Sequence, residues 1–229
     1  VDARLTLIVR SNNVIVSKNE YDIVVASEEW GKSPLPCKDE CFYLKDDRIS
    51  CDLLALYDIK AAECSDITEL CGRQGRLVVS GAVSENDGRL IREFACSGGT
   101  VILLGQQALP KTILDDTQAP FTAYRHEIVT MNIPESPVFD GIEPLDIAWF
   151  SDGDTIPYVT VGRYGVDRFN RDISVFAETL EWHGYIGKPT DYMQFGGTPL
   201  FAVKAGAGHI VCSSLRIDAC GFDPVASRL

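Results

Sequence analysis

Residues 84–105, "SENDGRLIREFACSGGTVILLG", contain the pattern that decides the fold. Ser84 and Asp87 have the spacing of a capping box, in which each side chain accepts a hydrogen bond from the other residue's backbone N–H. Apolar residues recur on one side of the following turns, and Gly98 or Gly99 supplies a stop. The run "TVILLG" that comes next is typical of a strand buried on both faces. The stretch therefore predicts an amphipathic helix that leads directly into a central strand.

The preceding segment repeats this alternation of strand and helix. "RLVVSG" at 76–81 predicts one strand, and the apolar run "DLLALYD" at 52–58 predicts another. Between them, "SDITELCG" at 65–72 predicts a short helix with Ser65 as N-cap and Gly72 at its exit. Two consecutive strand-helix-strand units imply a parallel sheet with right-handed crossovers. We therefore expect an α/β domain with a flavodoxin-like three-layer sheet.

The first fifty residues differ from this pattern. Their β-rich runs, separated by Ser-Asn-Asn and Lys-Asn-Glu, are Leu5–Arg10, Val14–Ser17 and Tyr21–Ala26. We expect a short antiparallel meander, then a connector over residues 31–50, and the α/β domain over residues 51–229. A meander of this size is marginally stable alone, so it packs on the α/β domain or forms the edge of a β-sandwich. The chain is expected to be a segment of a longer polypeptide.

The end of the chain contains a second strong local signal. "PLFAVKAGAGHIVCSSL" at 199–215 predicts two strands joined by a tight hairpin, because its glycines tolerate positive backbone angles. The glycine cluster lacks the Gly-Lys-Ser/Thr ending of a phosphate-binding loop and does not precede a helix. We therefore interpret it as a hairpin and not as a phosphate site.

Composition excludes some classes of partner. The chain has 33 acidic and 21 basic residues, a net charge of -12, and no basic cluster. Such a chain is not expected to bind nucleic acid or anionic lipid. No apolar run approaches the roughly 20 residues that span a bilayer. We expect a soluble domain whose partners are other domains of the parent chain, with a homo-oligomeric contact and a carbohydrate left open.

The eight cysteines do not form a metal or disulfide pattern. They are Cys37, Cys41, Cys51, Cys64, Cys71, Cys96, Cys212 and Cys220. The C-x3-C pair at Cys37 and Cys41 lacks a second pair of ligands at zinc-site spacing. Most of the others fall in expected helices and strands, where a thiol is usually a small buried apolar group. We expect reduced thiols, a cytoplasmic location, and no metal or cofactor.

Residue types that often act in catalysis are present but lack a catalytic context. His126, His183 and His209 have no cysteine or carboxylate at a spacing typical of a metal site, so each is expected to be an ordinary hydrogen-bonding histidine. Asn19 and Glu20 match the acid/base dipeptide of many barrel glycosidases. They lie between two β-rich runs and not at the end of a barrel strand, so Glu20 is expected to be a turn residue.

The segment "DIAWFSDGDT" at 146–155 is a candidate carbohydrate contact. Trp149 could stack on a sugar ring, and Asp152 and Asp154 could accept hydrogen bonds from its hydroxyls. The alternative is that the aromatic residues belong to the core and that the aspartates are solvated loop residues.

The order of several motifs resembles a known family. The motifs are "YD" after an expected strand, "LVVSG" before an expected helix, "FACSGGTVILLGQ", "SPVFDGIEPLDIAWF", and "GAGHIVCSSLRIDACGFDPVASRL". Together they resemble the class I glutamine-amidotransferase-like domain of certain bacterial glycoside hydrolases, in particular the accessory domain of the β-galactosidase-like family 2. "KNEYDIVVASEEW" likewise resembles the edge of the β-sandwich that precedes this domain. These motifs are structural, and none is a catalytic signature.

The resemblance can be tested for a nucleophile. Active class I amidotransferases carry a cysteine at the turn after a central strand, with a histidine and a glutamate close enough to activate it. Here "TVILLG" is followed by Gln106, Gln107 and Ala108, and the nearest cysteine, Cys96, precedes the strand. A glutamine cannot attack an amide, so no catalytic residue is assigned.

The sequence thus favours a non-catalytic accessory domain of a larger glycoside hydrolase. Its roles would be interdomain packing, oligomer contact, or shaping of the carbohydrate site. The alternative is a stand-alone hydrolase or amidotransferase with an unrecognised Cys/His site.

Overall fold

The computed structural model describes residues 2–24, 28–31, 39–115, 118–126, 129–144, 146–148, 159–183, 192–217 and 223–229. Its strands are β1 (Asp2–Ser11), β2 (Val14–Val24), β3 (Cys41–Leu44), β4 (Ala61–Cys64), β5 (Arg76–Val79), β6 (Thr100–Leu104), β7 (Phe121–His126), β8 (Val129–Met131), β9 (Thr160–Tyr164), β10 (Ile173–His183), β11 (Tyr192–Ala205) and β12 (Gly208–Ser213). The α-helices are α1 (Glu28–Gly31), α2 (Arg48–Leu56), α3 (Glu85–Cys96) and α4 (Pro224–Arg228). None of the described helices is long and apolar enough to cross a membrane.

Ten of the strands form one mixed sheet. Its order is β4-β3-β5-β6-β12-β11-β10-β8, and β9 pairs with both β11 and β7. The strands from β4 to β12 in this order are parallel to their neighbours, whereas β11, β10 and β8 continue the sheet in antiparallel pairs. The chain is therefore a mixed α/β protein with a parallel half and an antiparallel half.

Helix α3 and strand β6 confirm the prediction from residues 84–105. The Ser84 hydroxyl accepts from the Asp87 backbone N–H at 3.2 Å, and the Asp87 carboxylate accepts from the Ser84 backbone N–H at 3.3 Å. Ile91 and Phe94 of this helix are buried in one cluster with Leu103 of β6. Because alternate β6 side chains point to opposite faces, this cluster covers only one face of the sheet.

Helix α2 covers the other face and corrects one prediction. "DLLALYD" was expected to be a strand, but residues 52–56 lie in α2, which begins after the N-cap Asp47. Leu54 packs with Val78 of β5 and Leu104 of β6, on the face opposite α3. A short apolar run has no periodicity that separates a buried strand from a buried helix. The strand in this unit is β3, which lies in the stretch assigned from sequence to the connector.

The short helix after β4 also begins one residue later than expected. It is a 3-10 helix, Ile67–Leu70, and its N-cap is Asp66 and not Ser65. The Asp66 carboxylate accepts from the Thr68 backbone N–H at 2.7 Å. This bond lowers the pKa of Asp66, because it favours the charged carboxylate.

The predicted three-stranded meander is a two-stranded ribbon. β1 and β2 pair from Asp2↔Val24 to Ser11↔Val14, and the expected break at Lys-Asn-Glu lies inside β2. Asn19 pairs with Leu7 and Glu20 with Thr6, so Glu20 is a strand residue and not a turn residue. Its carboxylate forms an ion pair with Lys18 at 2.6 Å. Cross-strand pairing explains the difference, since polar residues on an exposed strand face do not interrupt the backbone ladder.

A second buried cluster lies under the antiparallel half of the sheet. It includes Met131, Phe139, Ile147, Leu200 and Leu215. Near this cluster, α1 contacts α4. The guanidinium of Arg228 lies 5.0 Å from the centre of the Trp30 ring and donates to the Trp30 carbonyl at 2.7 Å.

The closing hairpin of β11 and β12 is confirmed. Ala205 pairs with Gly208 across a two-residue turn, in which Gly206 has a φ of +57°. The hairpin is held close to the end of α3, because a Cβ on Gly208 would strike the backbone carbonyl oxygens of Gly99 and Ala95. This close approach requires glycine at position 208.

Gly208→Ala should therefore destabilise the protein by about 1–3 kcal/mol or more, because the new methyl group meets backbone atoms that cannot move independently. The corresponding fall in the melting temperature, measured by circular dichroism, is roughly 3–10 °C. Gly81→Ala is the matched control, since a Cβ there meets nothing within 4 Å. An equal loss of stability in both variants would show that the packing at Gly208 is not the cause.

Candidate functional site

The carboxyl ends of the parallel strands form the candidate site. In open α/β sheets, ligands bind in the crevice outside these ends. Here the ends of β3, β5, β6 and β12 are followed by polar residues that the structure places along one edge: Asp47, Ser80, Gln106 and Ser214. All four are buried or partly buried. Their hydrogen bonds decide whether this edge can act on a ligand.

The carboxylate of Asp47 is saturated by protein donors. It accepts from the backbone N–H groups of Ser50 at 3.1 Å, Ser80 at 2.6 Å and Gly81 at 3.3 Å. It also accepts from the Ser50 hydroxyl at 2.8 Å and from the Ser80 hydroxyl. A carboxylate offers about four lone-pair positions, so five donors leave none for a substrate. Asp47 thus links β3 and α2 to the end of β5 through hydrogen bonds. It cannot serve as a general base.

The same contacts set the ionisation of Asp47. Burial alone would raise its pKa, but the hydrogen bonds from Ser80 and Ser50 outweigh burial and hold the pKa below the ordinary value. Asp47 is therefore charged at neutral pH, and hydrogen bonds from neutral donors stabilise this charge. One signal for it is present in the sequence, an acidic pair that follows the short apolar run "CFYL" after a single lysine, Lys45.

The turn after β6 contains a positive backbone φ, as a nucleophile elbow does, but at a glycine. In a nucleophile elbow the reactive residue occupies a strained turn after a strand. Here the positive φ, +63°, belongs to Gly105, which has no side chain. The next residue, Gln106, is 3% exposed and donates from Nε2 to the carbonyls of Gly81 at 2.8 Å and Leu104 at 3.1 Å. Its backbone carbonyl accepts from the Tyr164 hydroxyl. The side chain and the backbone of Gln106 therefore both link neighbouring segments of the fold.

The hydroxyls at the end of β12 are also used structurally. Ser214 and Thr160 are fully buried, with their hydroxyl oxygens 3.0 Å apart. Thr160 donates to the carbonyl of Gly162 at 2.6 Å, and the Ser214 hydroxyl donates to the same carbonyl at 2.7 Å. These hydroxyls connect β9 to β12, and sequence analysis did not single them out.

Among the described cysteines, Cys96, Cys64 and Cys212 do not supply an activated thiol at this edge. Cys96 ends α3, and its carbonyl accepts from Ala207 of the closing hairpin at 3.2 Å, so it lies at the amino end of β6 and β12. Burial raises the pKa values of Cys212 and Cys64, which keeps both thiols protonated. The six cysteines in the described ranges are free, and Cys37 and Cys220 lie outside these ranges.

The structure does not test the candidate carbohydrate contact. Trp149, Asp152 and Asp154 lie outside the described residues, so their role as a carbohydrate contact stays a prediction. His209 is exposed on β12, at its amino end. In the part of the chain that the structure describes, no group of three or more His, Cys, Asp or Glu residues could hold a metal ion.

Two cavities are formed by described residues. A shallow groove of about 410 Å³ follows residues 134–142, part of the "SPVFDGI" motif. In it, the Asp140 carbonyl accepts from Arg228 at 2.8 Å, and Ser136 caps a 3-10 turn. A smaller cavity of about 170 Å³ lies between β9, β10 and β11 and includes a buried glutamate, Glu178.

Comparison with known proteins supports the fold only. No protein-family model matches the chain, and no curated protein matches it at a significant level. A ThuA-like protein from Bacteroides uniformis is 10% identical, with a TM-score of 0.51 over 80% of this chain and 83% of that chain. At this identity the match supports a similar mixed α/β fold and nothing further.

Two other solved structures are less similar. A cytoplasmic protein from Salmonella typhimurium is 9% identical, with a TM-score of 0.41 over 93% of this chain and 84% of that chain. The cold-adapted β-galactosidase from Rahnella is 11% identical, with a TM-score of 0.45 over 81% of this chain. The chain spans 30% of the length of that β-galactosidase chain. At these TM-scores neither match carries an inference about this chain.

Asp47→Asn should destabilise the protein by about 3 kcal/mol, since an amide offers fewer acceptor positions and directs N–H donors at those of Ser80 and Gly81. The stabilisation by Asp47 is complete above its unfolded-state pKa of about 3.9 and is lost as pH falls through its lower folded-state pKa. Chemical denaturation between about pH 2 and pH 7 should therefore show a weaker acid-side loss in the variant. Asp46→Asn, at the exposed neighbouring position, is the control, and an equal effect there would contradict the role of Asp47.

Proposed function

We propose that this chain is a non-catalytic accessory domain of a larger bacterial glycoside hydrolase of the β-galactosidase-like class. The observation that carries the proposal is the end of β6, where a nucleophile would be expected. The residue with a positive φ there is Gly105, which has no side chain. The side-chain amide of Gln106 donates to two backbone carbonyls. Among the described residues that follow β3, β5, β6 and β12 at this edge, Asp47, Gln106 and Ser214 are committed to hydrogen bonds within the protein, which supports a non-catalytic role.

The finer fold assignment belongs to the same proposal. Clusters on both faces of the parallel strands, one with α3 and one with α2, support a flavodoxin-like three-layer arrangement. Together with the motif order of the sequence, this arrangement favours the class I glutamine-amidotransferase-like type. The parent enzyme's activity and its substrate are parts of the proposal and not observations on this chain.

The ribbon of β1 and β2 supports a role in packing against another sheet. Cross-strand pairing places apolar side chains on one face: Leu5, Leu7, Val9, Tyr21 and Ile23. They are between 38% and 57% exposed. The opposite face carries ion pairs between Arg4 and Asp22 and between Lys18 and Glu20. A ribbon with one apolar and one charged face is suited to cover a neighbouring sheet.

This apolar ribbon face makes interdomain packing or oligomer contact the function that the geometry supports best. A two-stranded ribbon is marginally stable alone, because it buries little apolar surface. In the parent chain the ribbon would be stabilised by a neighbouring domain. In the isolated chain the same face would associate with a second copy.

The purified chain should hydrolyse neither glutamine nor nitrophenyl β-galactoside above the buffer rate, because the carboxyl edge offers no nucleophile. Ammonia release and nitrophenol absorbance measure the two reactions. Turnover that disappears on Cys96→Ala, or on replacement of another cysteine, would instead favour a stand-alone hydrolase or amidotransferase with a Cys/His site.

Leu7→Lys should weaken self-association of the isolated chain by about tenfold or more, because it places a charge in the apolar ribbon face. Sedimentation equilibrium over a range of protein concentrations measures the association constant. We expect a concentration-dependent dimer for the unmodified chain.

Ile8→Lys is the matched control for this experiment. Ile8 is 45% exposed and Leu7 is 49% exposed, and the two residues are adjacent but lie on opposite faces of the ribbon. Both substitutions change the net charge equally. Equal weakening by the two variants, or a monomeric unmodified chain at all concentrations, would contradict association through the apolar face.

A further inference from the structure

The cavity between β9, β10 and β11 contains a buried carboxylate with an unused acceptor. The Glu178 side chain is 7% exposed, and its Oε1 forms an ion pair with Nη2 of Arg168 at 2.7 Å. Its Oε2 is also buried, and no donor from the described residues reaches it. A buried acceptor without a donor is costly, so such groups point to a ligand or to solvent.

Strand irregularity explains why a glutamate points into this region. The register of β10 against β11 shifts between Val175 and Ala177, again before Thr179, and again before Leu180. As a result Ala177, Glu178 and Thr179 are all buried, in place of the alternation of a regular strand. Bulges of this kind redirect a side chain and are frequent beside binding sites.

The polar side chains that line the cavity are those of Tyr164, Thr198, Arg168 and Glu178, and the Tyr164 hydroxyl donates to the Gln106 carbonyl. Val166, Val175, Gly196 and Gly197 also line it, and the Arg163 side chain packs close to Gly197. The Thr198 hydroxyl is already committed, because it donates to the carbonyls of Ala177 at 2.6 Å and Leu200 at 3.0 Å. Among the side-chain atoms of the described lining residues, Oε2 of Glu178 is therefore the buried polar atom without a hydrogen-bond partner.

We propose that this cavity is a binding site for a small neutral compound with hydroxyl donors, a polyol or a single sugar ring, and that Glu178 accepts a hydroxyl hydrogen bond through Oε2. The charge balance favours a neutral ligand. Arg168 balances the charge of the Glu178 carboxylate. A cationic ligand would be repelled by Arg168, and an anionic ligand would be repelled by the carboxylate. The inference rests on the cavity and does not depend on the proposed accessory role.

Size restricts the ligand further. The cavity of about 170 Å³ is smaller than sites for drug-sized ligands, which occupy about 300–1,000 Å³. It corresponds to the volume of about six water molecules at ~30 Å³ each. A ligand this small gives a dissociation constant on the order of millimolar.

Titration of the whole chain with D-galactose and, separately, with glycerol tests the site by amide chemical shifts. We expect saturable shifts with at least one probe, confined to the amides around Val166, Glu178 and Gly197, and no such shifts with methylammonium chloride. Saturation with methylammonium would overturn the neutral-ligand assignment. An absence of saturable shifts with both hydroxyl compounds would overturn the site.

Two variants separate binding from a structural role of the ion pair. Glu178→Gln replaces one carboxylate oxygen by an amide group and should weaken the binding at least tenfold. Val175→Phe keeps the carboxylate and fills the cavity, so it should also abolish the shifts. If Val175→Phe binds the probe as tightly as the unmodified chain does, the cavity is not the site, even where Glu178→Gln fails to fold.

Discussion

The saturated carboxylate of Asp47 is the interaction on which the parallel half of the sheet depends. It joins the ends of β3 and β5 through donors that include the Gly81 N–H, and the Gly81 carbonyl in turn accepts from Gln106 at the end of β6. The Gln106 carbonyl accepts from Tyr164 of β9. Hydrogen bonds thus cross the carboxyl edge from strand to strand. The corresponding edge binds ligands in many α/β proteins. Here these polar groups form hydrogen bonds with one another and hold the strand ends together.

Two buried carboxylates show how the same group can be structural or available. Asp47 is surrounded by backbone N–H groups and serine hydroxyls, because it begins a helix at the point where two parallel strands end. Glu178 lies on a bulged antiparallel strand, where the neighbouring backbone groups already pair with each other. It has one arginine partner, and its other oxygen has no donor among the described residues. The carboxylate at the ends of parallel strands is therefore saturated by protein donors. The carboxylate on the antiparallel strand lines the cavity that we assign to a ligand.

Apolar faces are buried in one part of the chain and exposed in another. Helix α3 buries Ile91 and Phe94 against the sheet, so its amphipathic pattern is satisfied within the chain. The ribbon of β1 and β2 has an equally clear division into apolar and charged faces, but Leu7 and Val9 remain about half exposed. This difference supports the proposed role in packing, because an exposed apolar patch of this kind marks an interaction site.

Local sequence determined the elements whose signals are complete within a few residues. The capping box at Ser84, the buried run of β6 and the glycine turn of the closing hairpin each need only neighbouring residues, and all three are confirmed. That glutamine and not cysteine follows β6 is also a property of the sequence alone. Tertiary structure decided the rest: the helical state of residues 52–56, the fusion of two runs into β2, and the partners of Asp47 and Glu178. These features depend on contacts between distant segments, and the free energy of such contacts outweighs the local preference of a short apolar run.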